Sequence, residues 1–334
     1  MTFTLTINKD LWRSNIDLVH ISIENANAAL VPVIKGCGYG LGNSVVCSEA
    51  IRISAPVVAT GTIFEATEIL QNVPCDVVVL EPFTTADPGA VTEWRHVEEV
   101  FGTERLVRTV SNRDQVLNLV EDGTSCRIIL EGRTSVHRFG MSQGEIADVL
   151  RDGSLKSAIQ SRKLTLEGLS LHLPITQPRG HEMTAAHVRG EPNNDSSAKV
   201  NEVRTWIRCW NRVISDEFGS VSAASTVWIS HVDDDELRLI SQDIPDGRIQ
   251  VRSGSRLWLG ERSALRAHGT VLSTHELSGR TSVGYRQRVS SKNATLVVVS
   301  GGSHHGVGLT GPSPVTSTRQ RAVSAVTGSL DALG

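Results

Sequence analysis

Two tyrosines, Tyr39 and Tyr285, are all that this 334-residue chain contains, and aromatic residues as a whole make up 4% of it. Each of the two is therefore worth locating. Cysteine is sparse as well: Cys37, Cys47, Cys75, Cys126 and Cys209 are an odd set, widely spaced and without a C-x-x-C pair. That pattern argues against a disulfide frame or a zinc site and reads as reduced, mostly buried thiols of a cytoplasmic protein. Neither charge dominates, since the formal net charge is −3. A nucleic-acid or polybasic membrane role is thereby disfavoured. No apolar run approaches the ~18 residues of a membrane span. The opening Met1-Thr-Phe-Thr-Leu-Thr-Ile-Asn8 alternates like a strand and lacks a basic segment before a hydrophobic block. Repeats and low-complexity tracts are missing too.

What the chain has is alternation on a larger scale. Short β-rich apolar runs predict strands over 31–35, 56–60, 76–81, 106–110, 127–131, 164–172, 226–231 and 248–252. Amphipathic stretches between them, among others 44–53, 64–71, 114–121, 143–150 and 199–217, predict helices. Eight strands separated by helices over ~220–250 residues are the pattern of a parallel (β/α)8 barrel of the TIM type. An open doubly wound sheet competes, but no G-x-G-x-x-G follows the first strand. Beyond residue 260 the texture turns to β-rich runs, 267–272, 281–287 and 295–300, broken by Ser-Gly-Arg and Ser-Lys-Asn turns. The expected organisation is a barrel over 8–260 followed by a small, mostly antiparallel β-domain over 261–334, apparently shortened. A polar, turn-rich stretch over 174–198 is long for a βα loop and reads either as a lid or as a plain insertion. In a barrel, chemistry gathers at the C-terminal strand ends, which here include Lys35, Glu131, His172, His231 and Arg252.

The first of these ends is the most telling. In Val31-Pro-Val-Ile-Lys-Gly-Cys-Gly-Tyr-Gly-Leu-Gly42 an apolar run stops at one lysine, and a glycine-rich turn carries a tyrosine four residues on. Gly36, Gly38, Gly40 and Gly42 let backbone approach a ligand closely. The Lys35 amine is a nucleophile toward aldehydes, and the Tyr39 hydroxyl can meet a phosphate oxygen. Together they suit a Schiff-base site for pyridoxal 5'-phosphate. The plain alternative is a lysine reaching from a strand end into solvent, with the glycines serving only the turn.

The same segment resembles the V-V-K-A-N-A-Y-G-H-G cofactor motif of the alanine racemase family, with Lys35, Tyr39, Gly40 and Gly42 matching and Gly36, Cys37 and Gly38 departing. The resemblance implies a lysine-bound pyridoxal phosphate, with Tyr39 at its phosphate. Further segments extend it. Thr134-Ser-Val-His-Arg-Phe-Gly-Met141 is similar to the family's D-T-G-M-x-R-L-G, which implies that Arg138 orients the substrate carboxylate. Glu131 then falls where many racemases carry a carbamylated lysine, and a native carboxylate can supply the same charge to Arg138. Arg133 stands where the family has aspartate.

Glu167-Gly-Leu-Ser-Leu-His-Leu173 resembles G-L-x-T-H-F and implies that His172 stacks on the cofactor ring. Val251-Arg-Ser-Gly-Ser-Arg-Leu-Trp-Leu-Gly260 resembles V-R-x-G-I-x-L-Y-G. That match implies Arg252 opposite the ring nitrogen, with Gly254 and Ser255 at the phosphate. In Ile229-Ser-His-Val-Asp-Asp-Asp235, Ser230 or His231 substitutes for the family's N-S pair. The three aspartates there read as a helix N-cap rather than a metal site.

Gly279-Arg-Thr-Ser-Val-Gly-Tyr-Arg-Gln-Arg288 resembles, with a shift of one residue, the G-E-x-V-S-Y-G segment. In the family that segment brings the second catalytic base from the partner subunit. Tyr285 and Lys35 are thus the expected pair of bases, one on each face of the substrate Cα. The family's I-G-Y-A-D-G-Y segment appears as Val299-Ser-Gly-Gly-Ser-His-His-Gly-Val-Gly308, where His304 and His305 replace tyrosine as donors, a base or metal ligands. The M-D-Q region has no counterpart, and 318–333 reads as a helical tail.

The expectation is a cytoplasmic amino-acid racemase acting on a small amino acid as a homodimer, with pyridoxal phosphate, no metal, no nucleic acid and no membrane. The alternatives on the same scaffold are decarboxylation or metal-assisted aldolase or dehydratase chemistry. From another class comes a protein that binds pyridoxal phosphate without turnover.

Overall fold

A short N-terminal strand, β1 (Phe3–Ile7), precedes eight strands that close on one another. These are β2 (Ala28–Ile34), β3 (Val57–Thr60), β4 (Asp76–Pro82), β5 (Leu106–Val110), β6 (Cys126–Gly132), β7 (Leu164–His172), β8 (Thr226–Ser230) and β9 (Ile249–Ser253), parallel and in chain order around the barrel. The protein is described from a computed structural model over residues 3–175, 194–219, 226–242, 244, 248–284, 288–290, 292–302 and 305, with side chains for all of these but 194–197 and 288–290. The lid-or-insertion stretch, apart from its two ends, and the C-terminal tail lie outside these residues.

The barrel strands read as continuous apolar runs because helices cover their outer faces while side chains fill the interior. Val31, Val33, Val57, Ala59, Val78, Val107, Ile129 and Trp228 form one buried cluster from five neighbouring strands, β2 to β6, and β8. Outside, the helix Asn194–Phe218 lays Val203, Trp206, Ile207, Trp210 and Ile214 against the barrel at helical spacing. The helix Pro88–Phe101 starts on Asp87, whose carboxylate accepts from the N–H groups of Gly89 and Ala90, with proline at its first position. Two indoles tie strand to helix: Trp12 donates to the Trp258 carbonyl at 2.8 Å, and Trp258 donates to the Val33 carbonyl at 2.7 Å. Val33 lies two residues before Lys35, so this bond anchors the base of the lysine-bearing end.

The chain divides into two compact units, the barrel from Trp12 to Glu261 and a second that joins the N-terminal residues to those from Arg262 onward. In the second, β1 pairs antiparallel with β10 (Leu265–Gly269), a pairing with no signature in the sequence. β11 (Val271–Leu277) pairs with β14 (Ala294–Val299), and β12 (Thr281–Val283) with β13 (Arg288–Ser290), all antiparallel. The run expected as one strand over 267–272 is split at Thr270. There Thr270 N–H donates to the Ser300 hydroxyl and Ser300 N–H to the Thr270 carbonyl, each at 2.8 Å, so the chain turns into a new ladder. The fold is thus a (β/α)8 barrel with a small, mostly antiparallel β-domain.

Candidate active site

Strand register gathers the expected residues at one end of the barrel. Val31 on β2 is paired with Arg252 on β9, Arg252 with Ser230 on β8, and Ser230 with His172 on β7. Paired residues of parallel strands present their side chains to the same face, and Val31 belongs to the interior cluster. The period of two carries that face onward from Val31 to Lys35. Lys35 stands one residue past β2, exposed at the rim, and His231 stands one past β8; both were expected inside their strands.

The glycine-rich segment after Lys35 is a left-handed helical turn. Gly36, Cys37, Gly38, Tyr39 and Gly40 have φ of 57°, 53°, 61°, 58° and 82°. Tyr39 N–H donates to the Lys35 carbonyl at 2.9 Å and Gly40 N–H to the Gly36 carbonyl at 3.2 Å. Left-handed geometry costs an L-residue ~1–2 kcal/mol, and the three glycines leave only Cys37 and Tyr39 to bear it. The turn is held from outside by Glu65. Its carboxylate accepts from the N–H of Gly36 at 2.7 Å, of Gly61 at 3.1 Å and of Thr62 at 3.2 Å, and from the Thr60 hydroxyl at 3.3 Å. Sequence reasoning missed Glu65. The available signal was the T-x-x-E capping-box spacing of Thr62 and Glu65.

Tyr39 links this turn to the end of β9. Its hydroxyl is hydrogen-bonded to Ser255, and burial outweighs that bond to raise the phenol's pKa. An added Cβ at Gly254 would lie 1.8 Å from the Tyr39 hydroxyl oxygen, so only glycine leaves room for the phenol. Gly254 and Ser255 open a helical turn, Ser255–Leu259, beside a cavity of about 80 Å³ lined also by His231, Arg252 and Arg256. The first N–H groups of such a turn have no partners within it. A larger cavity, about 570 Å³, lies at the opposite end of the barrel around Ala28–Leu30 and Arg52–Pro56, away from this chemistry.

Charge at the site is set by burial. His172 Nδ1 lies 3.2 Å from the Ser230 hydroxyl, and its ring meets His231 edge-on at 4.9 Å. Burial, with Arg138 and Arg252 nearby, pushes His172 down to about 3, and burial lowers His231 as well. Arg252 is 6% exposed; one Nη donates to the Leu171 carbonyl at 3.0 Å, while its Nε has no partner. Burial takes Arg252 down to about 10 against the pull of Glu131, which leaves it charged at neutral pH. Glu131, 2% exposed, is raised by burial and held back by Arg252 and then Arg138.

Arg138 sits in an exposed loop with its guanidinium 4.9 Å from the Phe139 ring. Arg133, where the family has aspartate, closes that loop: its Nε donates to the Gly140 carbonyl at 3.1 Å and it pairs with Glu145 at 2.8 Å. Asp233 caps the helix Asp234–Ser241 in a capping box with Glu236. Among the described residues no group of three or more His, Cys, Asp or Glu is arranged to hold a metal ion.

Lys35, Tyr39, Glu131, Arg138, His172, Ser230, Arg252, Gly254 and Ser255 therefore share the C-terminal end of the barrel. His305 belongs to the second unit, where its ring is 5.0 Å from that of Phe3. Tyr285 and His304 lie outside the described residues.

The sequence matches the family model for the alanine racemase N-terminal domain over residues 7–226. The chain belongs to the alanine racemase family. Among solved structures, the biosynthetic alanine racemase of Pseudomonas aeruginosa is 17% identical with a TM-score of 0.64, covering 94% of this chain and 79% of that one. The alanine racemase of Bartonella henselae, determined with covalently bound pyridoxal phosphate, is 16% identical with a TM-score of 0.63, covering 92% and 77%. At such identities the likeness speaks for the fold. No curated protein matches the chain in sequence. Among the described residues no helix is long and apolar enough to cross a membrane.

Proposed function

We propose that this family member is a pyridoxal-phosphate-dependent amino-acid racemase that exchanges the Cα proton of a small amino acid between two bases. The observation that carries this reading is the convergence of Lys35, the Tyr39–Ser255–Gly254 cradle and the charged Arg252 on one barrel mouth. These residues fit the cofactor: an amine at the rim for its aldehyde, hydroxyls and the N–H groups that open a helical turn for its phosphate, and a buried, partnerless Arg252 Nε for its ring nitrogen. When bound, pyridoxal phosphate supplies an electron-withdrawing ring conjugated to the substrate nitrogen.

The chain's own residues do the rest. Lys35 holds the cofactor and, once released by substrate, moves a proton on one face of Cα. Arg138 pairs with the substrate carboxylate. His172, kept neutral, packs on the ring without adding charge, and Ser230 orients it through Nδ1. Arg252 stays positive beside the ring nitrogen and so keeps that nitrogen unprotonated, which favours simple proton return over transamination. Glu131 supplies the opposing charge. Tyr285 moves the proton on the opposite face, delivered from the second subunit of a cytoplasmic homodimer, and His304 and His305 line the substrate side.

Borohydride treatment with added cofactor, followed by peptide mapping, is expected to leave a pyridoxyl adduct on Lys35; an unmodified Lys35 ends the proposal. A deuterium-exchange screen over amino acids then identifies the substrate. Turnover lost to a chelator points to metal-assisted chemistry, carbon dioxide release to decarboxylation, and a bound cofactor without exchange to a non-catalytic binder. Mixing inactive Lys35→Ala and Tyr285→Phe subunits restores activity if each site draws on two chains, and restores none if Tyr285 serves its own barrel.

A further inference from the structure

A second set of polar groups lies inside the barrel, and apart from Glu131 none of them belongs to the site described so far. Glu131 on β6 is in register with Ser170 on β7, Ser170 with Trp228 on β8, and Trp228 with Gln250 on β9. Trp228 belongs to the cluster that fills the barrel, so the row faces the interior. Glu131, Ser170 and Trp228 are 2%, 0% and 5% exposed. The Ser170 hydroxyl, the Trp228 indole N–H and the Gln250 Oε1 are buried with no hydrogen-bond partner. No hydrogen bond contributes to the environment of the Glu131 carboxylate, only burial and the charges of two arginines.

Buried polar groups in folded proteins find a partner in protein or ordered water, and leaving one dry costs ~1–3 kcal/mol. Neighbouring strands lie ~4.8 Å apart, and no direct hydrogen bond joins the Ser170, Trp228 and Gln250 groups across that span. One water between neighbours closes that span with two bonds of ordinary length. The donor and acceptor types agree. Trp228 can only donate, the Glu131 carboxylate and the Gln250 Oε1 only accept, and Ser170 does both. An anion would face the carboxylate, and a cation would face an indole N–H and the arginines; a water satisfies each group in turn. Gln250 is only half-buried although its register places it on the interior face, which leaves space for water at that end of the row.

We propose that Glu131, Ser170, Trp228 and Gln250 form a built site for a chain of ordered waters across the barrel interior, and that these waters solvate the Glu131 carboxylate. The site stands apart from the cofactor reading, since it uses no cofactor contact. Two measurements test it. A high-resolution crystal map of the unaltered protein is expected to show solvent peaks between the four side chains. Ser170→Ala and Gln250→Met, which remove one bonding group each with little change in shape, are expected to lower the urea midpoint, because each strips a partner from a bound water. In a dry interior the same substitutions remove an unpaired polar atom, and the midpoint rises or stays put. A map without such peaks, or a midpoint that does not fall, overturns the proposal. Should Gln250→Met fail to fold, Ser170→Ala decides the sign.

Discussion

Strand β2 of the barrel buries six of its seven residues, whereas β11 of the second unit buries none of its seven. Composition is part of the difference, since β2 is wholly apolar and β11 carries Ser273, Thr274, His275 and Glu276. Even the apolar Val271 and Leu272 are exposed, however, so cover decides the rest. A barrel strand has an interior on one side and helices on the other. Among the described residues a two-stranded ribbon such as β11–β14 has neither, and Val271, Leu272, Val297, Val298 and Val299 remain between 40% and 60% exposed. A ribbon of this size is marginal by itself. The barrel can therefore hold charged groups such as Arg252 and Glu131 away from bulk solvent on a rigid wall, and the ribbon can only present its residues to whatever covers it.

The largest test of that contrast separates chemistry from stability within the barrel. Lys35→Ala is expected to abolish the pyridoxyl adduct and cut turnover at least ~10³-fold. Because Lys35 is exposed at the rim, its urea midpoint should stay within the ~0.5 kcal/mol of a surface change. Next, Trp258→Ala removes a fully buried indole and its bond to Val33, and denaturant titration should register a loss of ~3–5 kcal/mol. Glu65→Gln keeps the size of the side chain that holds the Lys35 turn but weakens its bonds. Unfolding should show a loss of ~1–3 kcal/mol, with slower adduct formation at Lys35. An unchanged rate of trapping would mean that the turn holds itself.

Acid should act on the barrel through His172. Its folded pKa of about 3 lies below the ordinary 6.5, so the unfolded chain binds the extra proton between these values. The stability this group contributes is whole above 6.5 and falls as the pH drops toward 3. His172→Leu should flatten that part of the pH–stability curve; an unaltered slope would assign it to other groups. The smallest expected effect is in the ribbon, where Val298→Thr should change stability by no more than ~0.5 kcal/mol. A larger loss would show that the ribbon is covered in solution, and the contrast between the two units would narrow.

Much of the barrel was legible because its strands obey a simple rule. Apolar runs ending in Lys35, Glu131, His172 and Arg252 marked both the strands and the end at which the candidate site lies. The start of β2 at Ala28 was less legible, since Ala28 and Ala29 carry no strand preference of their own and are drawn in by pairing with Ile249 and Gln250. The left-handed turn was half-legible. Glycines permit positive φ, but nothing local says that Cys37 and Tyr39 follow them into it. Glu65 was hidden because its partner Gly36 is 29 residues away in sequence. In the second unit, the split at Thr270 depends on Ser300, a contact across the ladder that no local pattern reports.

By itself the order of residues determined the eight-strand alternation, the family and the amine that anchors the proposed chemistry, because periodicity and short motifs are local properties. The tertiary structure alone decided which charges survive at the site. His172 is neutral, Arg252 remains charged and Glu131 faces both arginines because burial and neighbours on other strands set the balance of desolvation and Coulomb attraction. Those neighbours are brought together only when the barrel closes.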